Sequence, residues 1–243
     1  GKATAYLDSE RPLTFRTRKA DAILYYLVIT AKPVDRIDLA ELFWSDMTSS
    51  NAQKNLRTVL PGLRALLGEY LTVTNQQITF NREQEHWADI YELQRILADS
   101  TLPADEKLSQ FVKLHKGELL AGLNITNVPN FERWLHKQRE TLEEKIAESL
   151  QQWAEVFWEQ GTTKLGLEAT QLLLTMQPWN ENAHRLRMQF FWHSKQRSAA
   201  LLQYNQCVDY LQEKLGVEPS PETTRLYVQI QNDAVPLAGD HDQ

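Results

Sequence analysis

The sequence predicts a mainly α-helical protein in two parts. A winged helix-turn-helix domain is expected over residues 1–84 and a tetratricopeptide-like α-helical domain over 85–231, with 232–243 as a tail or linker. Three observations predict this. Within about the first eighty residues the patterning runs hairpin, three helices, hairpin, which is the plan of a winged helix. After residue 88 it is helical only, with a weak internal echo. The charge also changes: residues 1–84 hold 11 Lys+Arg against 9 Asp+Glu, a net of +2, and subtraction from the chain's 26 and 32 leaves 15 against 23, a net of −8.

Residues 6–15 show short apolar alternation around the turn signal Asp8-Ser9-Glu10, with Pro12 beyond it, and read as a small hairpin. Its abrupt start predicts an earlier strand upstream. Ala20, Ile23, Leu24, Leu27 and Val28 then fall at helical spacing, the stripe of a helix buried along one side, and Pro33 lies beyond its end. Asp35 is placed to cap a short second helix, with Asp38 in its first turn and Leu39, Leu42 and Phe43 turned inward. Ser49 or Ser50 is placed to cap a third. Its inward stripe is Ala52, Leu56, Val59, Leu60, Leu63 and Leu67, and Gly68 ends it. Residues 71–73 and 78–80 flank Asn75-Gln76-Gln77 as a second hairpin, the wing of the fold.

In the second part, Phe131, Leu135, Leu142, Ile146, Leu150, Trp153 and Phe157 mark one long helix over residues 130–159, roughly 45 Å at the rise of an α-helix. Antiparallel pairs follow, punctuated by Gly161, Pro178, Gly216 and Pro219. Residues 166–186 partly echo 198–226: a small-residue helix, then proline, then a new helix start. The offset of about 30 to 40 residues is in the range of tetratricopeptide units.

Composition excludes several classes. An apolar fraction of 42%, a charged fraction of 24% and only 9 Gly and 9 Pro are those of a folded protein, against disorder or collagen. The longest apolar run, residues 22–31 (AILYYLVITA), is about half of what a membrane span needs. No basic–apolar–small signal peptide opens the sequence. The single cysteine, Cys207, forms no internal disulfide or thiolate metal site, so a reducing, cytoplasmic location without membrane association is expected. The sequence holds no phosphate loop, HExxH, GxSxG or dinucleotide fingerprint, so neither enzymatic activity nor a cofactor is expected.

A winged helix offers the outer side of its third helix to the major groove. With Leu56 at the core centre and 100° per residue, Asn51, Lys54, Thr58, Pro61 and Ala65 point outward, and Arg57 and Arg64 stand on one shoulder. Lys54, Arg57 and Arg64 suit phosphates, while Arg57, Asn51 or Gln53 suits base edges. Residues 49–82 carry four cations (Lys54, Arg57, Arg64, Arg82) against one acid, Glu69. The wing tip, Thr74, Asn75, Gln76 and Gln77, is uncharged and suits neutral hydrogen bonds to backbone or minor groove. The plain alternative is a solvated helix face whose charges only keep it soluble.

These residues resemble a known family. Residues 15–20 (FRTRKA), 39–44 (LAELFW), Asn55-Leu56-Arg57, Leu63-Arg64 and Leu67-Gly68 resemble the winged-helix half, of the OmpR-like form, of SARP-type bacterial transcriptional regulators. Residues 117–122 (GELLAG), 131–135 (FERWL), Arg139-Glu140, Ala183-His184-Arg185 and 215–219 (LGVEP) are similar to the bacterial transcriptional activation domain, BTAD, a tetratricopeptide-like unit. The resemblance covers residues 5–230, and the order and spacing of its short strings make it specific. It implies an activator whose winged helix binds repeats in double-stranded promoter DNA. The helical domain would serve a homodimer on direct repeats and contact with RNA polymerase. Relatives often place this pair ahead of an ATP-dependent signalling domain, so a fragment of a longer protein is expected.

One departure stands out. Pro61-Gly62 occupies positions where the family commonly carries Ser-Arg or Arg-Arg. Proline removes a helical hydrogen bond at about 3 kcal/mol and glycine adds about 1. A kink and a weaker or differently shaped DNA contact, carried by Lys54, Arg57 and Thr58, are therefore expected. Arg18 and Lys19 at the start of the first helix are candidates for added backbone contacts. The departure also favours a second reading: an interaction module of a larger signalling protein whose winged helix no longer reads DNA.

Two Glu-x-x-His pairs, Glu83 with His86 and Glu181 with His184, share the spacing of di-iron bundle ligands, but no further glutamates stand in the matching places. His184 reads instead as a helix-surface or interhelix hydrogen-bonding residue, Cys207 as a buried apolar one. Most of Trp134, Trp153, Trp158, Trp179 and Trp192 read as packing, with one or two left to anchor a partner.

Overall fold

The computed structural model of the chain describes residues 1–7 and 11–232. The turn signal Asp8-Ser9-Glu10 and the tail from residue 233 onward lie outside the described residues. The chain divides into two compact units, one of residues 1–95 and 112–142, the other of 96–111 and 143 onward.

In the first unit β1 (Tyr6–Leu7) pairs antiparallel with β2 (Arg11–Pro12), the expected hairpin. Helix α1 (Arg18–Thr30) starts at Thr17, whose Oγ1 accepts the Ala20 N–H at 3.2 Å, and buries Ala20, Ile23, Leu24 and Leu27 as its spacing predicts. Helix α2 (Arg36–Phe43) and helix α3 (Ser49–Leu67) follow, and the wing is β4 (Leu71–Val73) with β5 (Gln77–Phe80).

Three expectations are corrected. The wing is not a two-stranded ribbon: β3 (Val34–Asp35) joins it in the order β3-β5-β4, all antiparallel, with Val34 opposite Ile78. A two-residue strand is too short for alternation to show. Asp35 stands at the N-cap position of α2 without capping it; its Oδ1 accepts from Gln77 Nε2 at 3.3 Å. The N-cap of α3 is Thr48, one residue before the serines, with Oγ1 accepting the Asn51 N–H at 3.4 Å.

The core of this unit joins α1, α2, α3 and the wing to side chains from much later in the chain. Helix α6 (Pro129–Glu159) contributes Phe131, stacked on Phe43 with centroids 4.9 Å apart, and Trp134, edge-on to Tyr26 at 4.7 Å. The preceding loop adds Leu120, Ile125 and Val128.

In the second unit α7 (Thr163–Met176), α8 (Glu181–His193), α9 (Arg197–Tyr210) and α10 (Pro221–Asn232) pack each on the next, the helix pairs that the echo predicts. A five-residue π turn, Leu211–Leu215, closes on Gly216 at φ 67. Met188, Ala200, Leu226 and Ile230 form one of its cores. The stripe of α6 supplies buried Ile146, Leu150, Trp153 and Phe157, with Trp153 edge-on to Phe111 at 6.0 Å. Helices α4 (Asp89–Ala98) and α5 (Ala104–Leu114) lie between the wing and α6, and a 3-10 turn, Gly68–Tyr70, joins α3 to β4. None of the described helices is long and apolar enough to cross a membrane.

Two helical glycines separate packing from propensity. A Cβ at Gly166 would run into the buried ring of Phe190, whereas one at Gly62 meets nothing within 4 Å. We expect Gly166→Ala to destabilise the fold by about 1–3 kcal/mol and Gly62→Ala to stabilise it by about 1 kcal/mol. Urea unfolding of the two variants should show opposite signs.

Candidate nucleic-acid interface

Helix α3 is amphipathic by construction. Ala52, Leu56, Leu60, Leu63 and Leu67 are buried, so Asn51, Lys54, Arg57, Thr58, Pro61, Gly62, Arg64 and Ala65 are exposed, with Gln53 and Val59 half-buried at the margins. The helix runs on through Pro61 as one element of 19 residues. Pro61 has no N–H to offer the Arg57 carbonyl.

Several of these side chains are tied within the helix. Gln53 Nε2 donates to Ser49 Oγ at 3.3 Å, Arg57 Nε to the Gln53 carbonyl at 3.3 Å, and Thr58 Oγ1 to the Lys54 carbonyl at 3.1 Å. The side chains of Asn51 and Lys54 make no hydrogen bond or ion pair among the described residues. Arg64 reaches sideways: its Nη2 donates to the Val73 carbonyl at 2.9 Å, tying α3 to the wing.

The wing tip is a tight, exposed turn. Thr74 Oγ1 accepts the Gln77 N–H at 2.9 Å and the Gln76 N–H at 3.3 Å, which leaves Asn75 and Gln76 at the apex. Arg36, the first residue of α2, grips the same turn from the other side. Its backbone N–H donates to the Gln76 carbonyl at 2.8 Å and its Nη1 to the Thr74 carbonyl at 3.1 Å. Sequence reasoning missed Arg36, because its role follows from β3, which places the start of α2 against β5.

The two cations at the start of α1 are placed differently from the α3 face. Lys19 is half-buried: its Nζ donates to the Phe43 carbonyl at 2.7 Å and lies over the Trp44 ring at 5.2 Å. Burial lowers its ammonium pKa below the ordinary lysine value, with Asp46 pulling the other way. Arg18 is exposed, with Nη1 donating to the Asn124 carbonyl at 3.2 Å. Arg82 lies over the ring of Tyr91.

The family profile described as the bacterial transcriptional activator domain matches residues 84–231. The chain belongs to this family. A search of curated proteins finds no match. Among solved structures, Mycobacterium tuberculosis EmbR, in complex with a low-affinity phosphopeptide, matches with a TM-score of 0.67 at 21% identity over 92% of this chain. The chain spans 61% of the length of that structure. A winged helix followed by a bacterial transcriptional activator domain is the SARP-type arrangement that the sequence motifs resemble.

The structure gives the activator-domain motifs physical work. Residues 117–122 form a loop with Leu120 buried at φ 51, and Arg139 holds it. Its Nε donates to the Leu119 carbonyl at 2.9 Å, Nη2 to the Leu120 carbonyl at 3.1 Å, and Nη1 pairs with Glu118 at 3.1 Å. His184 bridges α8 and α9, one of the two roles read for it. Its Nε2–H donates to the Pro178 carbonyl at 3.0 Å and its Nδ1 accepts from Gln203 Nε2 at 2.7 Å, while Gln203 Oε1 accepts from Arg187 at 3.0 Å. Glu181 lies at the start of α10, accepting from Ser220 N–H at 2.8 Å and from the Ser220 and Thr223 hydroxyls. Burial works against its charge, but those donors and Arg185 hold its pKa below the ordinary glutamate value. Cys207 is buried, which pushes its thiol up to about 12. Trp179 stands exposed and Trp153 buried.

Two outcomes follow. Arg64→Ala should cost about 1 kcal/mol by releasing a charge-assisted bond at the surface, read by denaturant unfolding. His184 has a lowered folded pKa, through burial first. The unfolded chain therefore takes up the proton more readily, so stability is full above about 6.5 and falls as pH drops below it. The stability difference between wild type and His184→Gln should be flat above that pH and shrink below it.

Proposed function

We propose that the chain is a sequence-specific DNA-binding regulator of transcription, an activator acting in the cytoplasm. Helix α3 enters the major groove and the wing rests on the neighbouring backbone. The observation that carries this reading is the exposed face of α3, where Asn51 and Lys54 stand unpartnered among the described residues beside Arg57 and Thr58, with the wing tied next to it by Arg64 and Arg36. Membership of the bacterial transcriptional activator domain family supports it. The helices of the second unit serve self-association on direct repeats, RNA polymerase or an attached sensor. Protomers on such repeats sit about one DNA turn apart.

Lys54 and Arg57 meet phosphates directly. Arg64 and Arg18 each keep guanidinium donors beyond the one bond described, so they can serve as well. Four such contacts predict a salt slope near −3.6 in a plot of log affinity against log salt. Removing two of them with Lys54→Glu and Arg57→Glu should bring the slope to about −1.8 and weaken binding. Fluorescence anisotropy on duplex DNA at several salt concentrations checks both. An affinity indifferent to salt and to the two reversals would overturn the reading in favour of a protein-docking winged helix.

A further inference from the structure

On the reading that α3 enters the major groove, the geometry points to the class of sequence it selects: an A·T-rich half-site, with Asn51 on an adenine and Thr58 against a thymine methyl. The side chains that ordinarily read guanine are arginine and lysine in bidentate geometry. On the outer face of α3 they are two, Lys54 and Arg57, and the proposed function assigns both to phosphates. Arg57 is bent back onto the Gln53 carbonyl through Nε and keeps its Nη groups for the phosphate, and Arg64 is turned to the wing through Nη2. Pro61 and Gly62 offer no donor where the helix continues.

Asn51 has an amide free of partners among the described residues, and an amide is the bidentate complement of adenine N6 and N7. Thr58 has its hydroxyl proton committed to the Lys54 carbonyl. The hydroxyl then has no proton to give a base, its methyl is the apolar group on this face, and thymine is the one base that presents a methyl in the major groove. Pro61 and Ala65 continue that surface without a polar atom. Asn51 and Thr58 are seven residues apart, about 10.5 Å along the helix, or about three base-pair steps. Lys54 lies between them with a flexible ammonium suited to a phosphate as a point charge.

The test begins with selection of bound duplexes from a random pool by the intact chain. The expected product is A·T-rich over three to four consecutive pairs. Deoxyuridine then replaces each thymine of the selected site in turn, which removes only the C5 methyl. Affinity should fall about fourfold at the position facing Thr58, the value of one buried methyl group. Thr58→Ser should reduce wild-type affinity to a similar degree, and uridine at that position should then cost nothing more. Asn51→Ala should lose the preference for adenine about three steps away. A G·C-rich selected site, or indifference to uridine throughout, overturns the assignment while leaving DNA binding intact. A pool that yields no enriched sequence overturns the DNA-binding reading itself.

Discussion

One side of α3 sets the terms for the first unit. Four leucines and Ala52 are buried along it, and each fully buried leucine contributes about 1.5–3 kcal/mol. Against that sum, an interior proline costs about 3 kcal/mol and a glycine about 1. The buried side therefore outweighs the two helix breakers, and α3 runs through Pro61-Gly62 as one element. The same inequality fixes the rotation of the helix. Turning it to bring Pro61 inward would carry leucines into water, so Asn51, Lys54 and Thr58 face outward as a consequence of what is buried behind them.

A recurring device positions the parts around that helix: an arginine or lysine donating to backbone carbonyls that no secondary structure satisfies. Arg36 and Arg64 do so for the wing turn, Lys19 for the end of α2, and Arg139 for the loop over residues 117–122. Each charged donor is worth more than a neutral one, and each holds irregular backbone where a ladder bond is missing. In the second unit the buried chain from Pro178 through His184 and Gln203 to Arg187 serves the same purpose between helices. Of these cations only Arg64 belongs to α3, and its bond to the wing leaves Lys54 and Arg57 as the cations of the outer face.

The helices were legible from periodicity because burial follows spacing. Ala52, Leu56, Leu60, Leu63 and Leu67 repeat at three and four, and the faces of α1 and α6 repeat likewise. Exposure of Asn51, Lys54, Arg57 and Thr58 followed from the same rotation. Strand β3 did not show, since two residues carry no alternation, and Asp35 has the chemistry of a cap in either setting. Nor did the partners show: spacing says that Phe131 turns inward, but not that it stacks on Phe43, 88 positions earlier. The placements of Arg18, Lys19 and Arg64 were equally hidden, because they depend on where the carbonyls of Asn124, Phe43 and Val73 come to rest.

The net charge of −6 takes on a mechanical meaning under the proposed function. About four phosphate contacts on one small face give a weak sequence-independent hold, since that hold scales with the number of phosphates neutralised. The acidic remainder of the chain repels DNA, which weakens the unspecific hold further and leaves discrimination to base contacts. A single α3 with one amide and one methyl as base readers then needs a second copy on the same duplex. Tethering through the helical unit supplies it, because linking two modest contacts raises the effective concentration of the second without any new contact to DNA. Low charge on the reading face and a protein–protein helical unit are thus two halves of one requirement: weak, selective binding that becomes firm only when protomers associate.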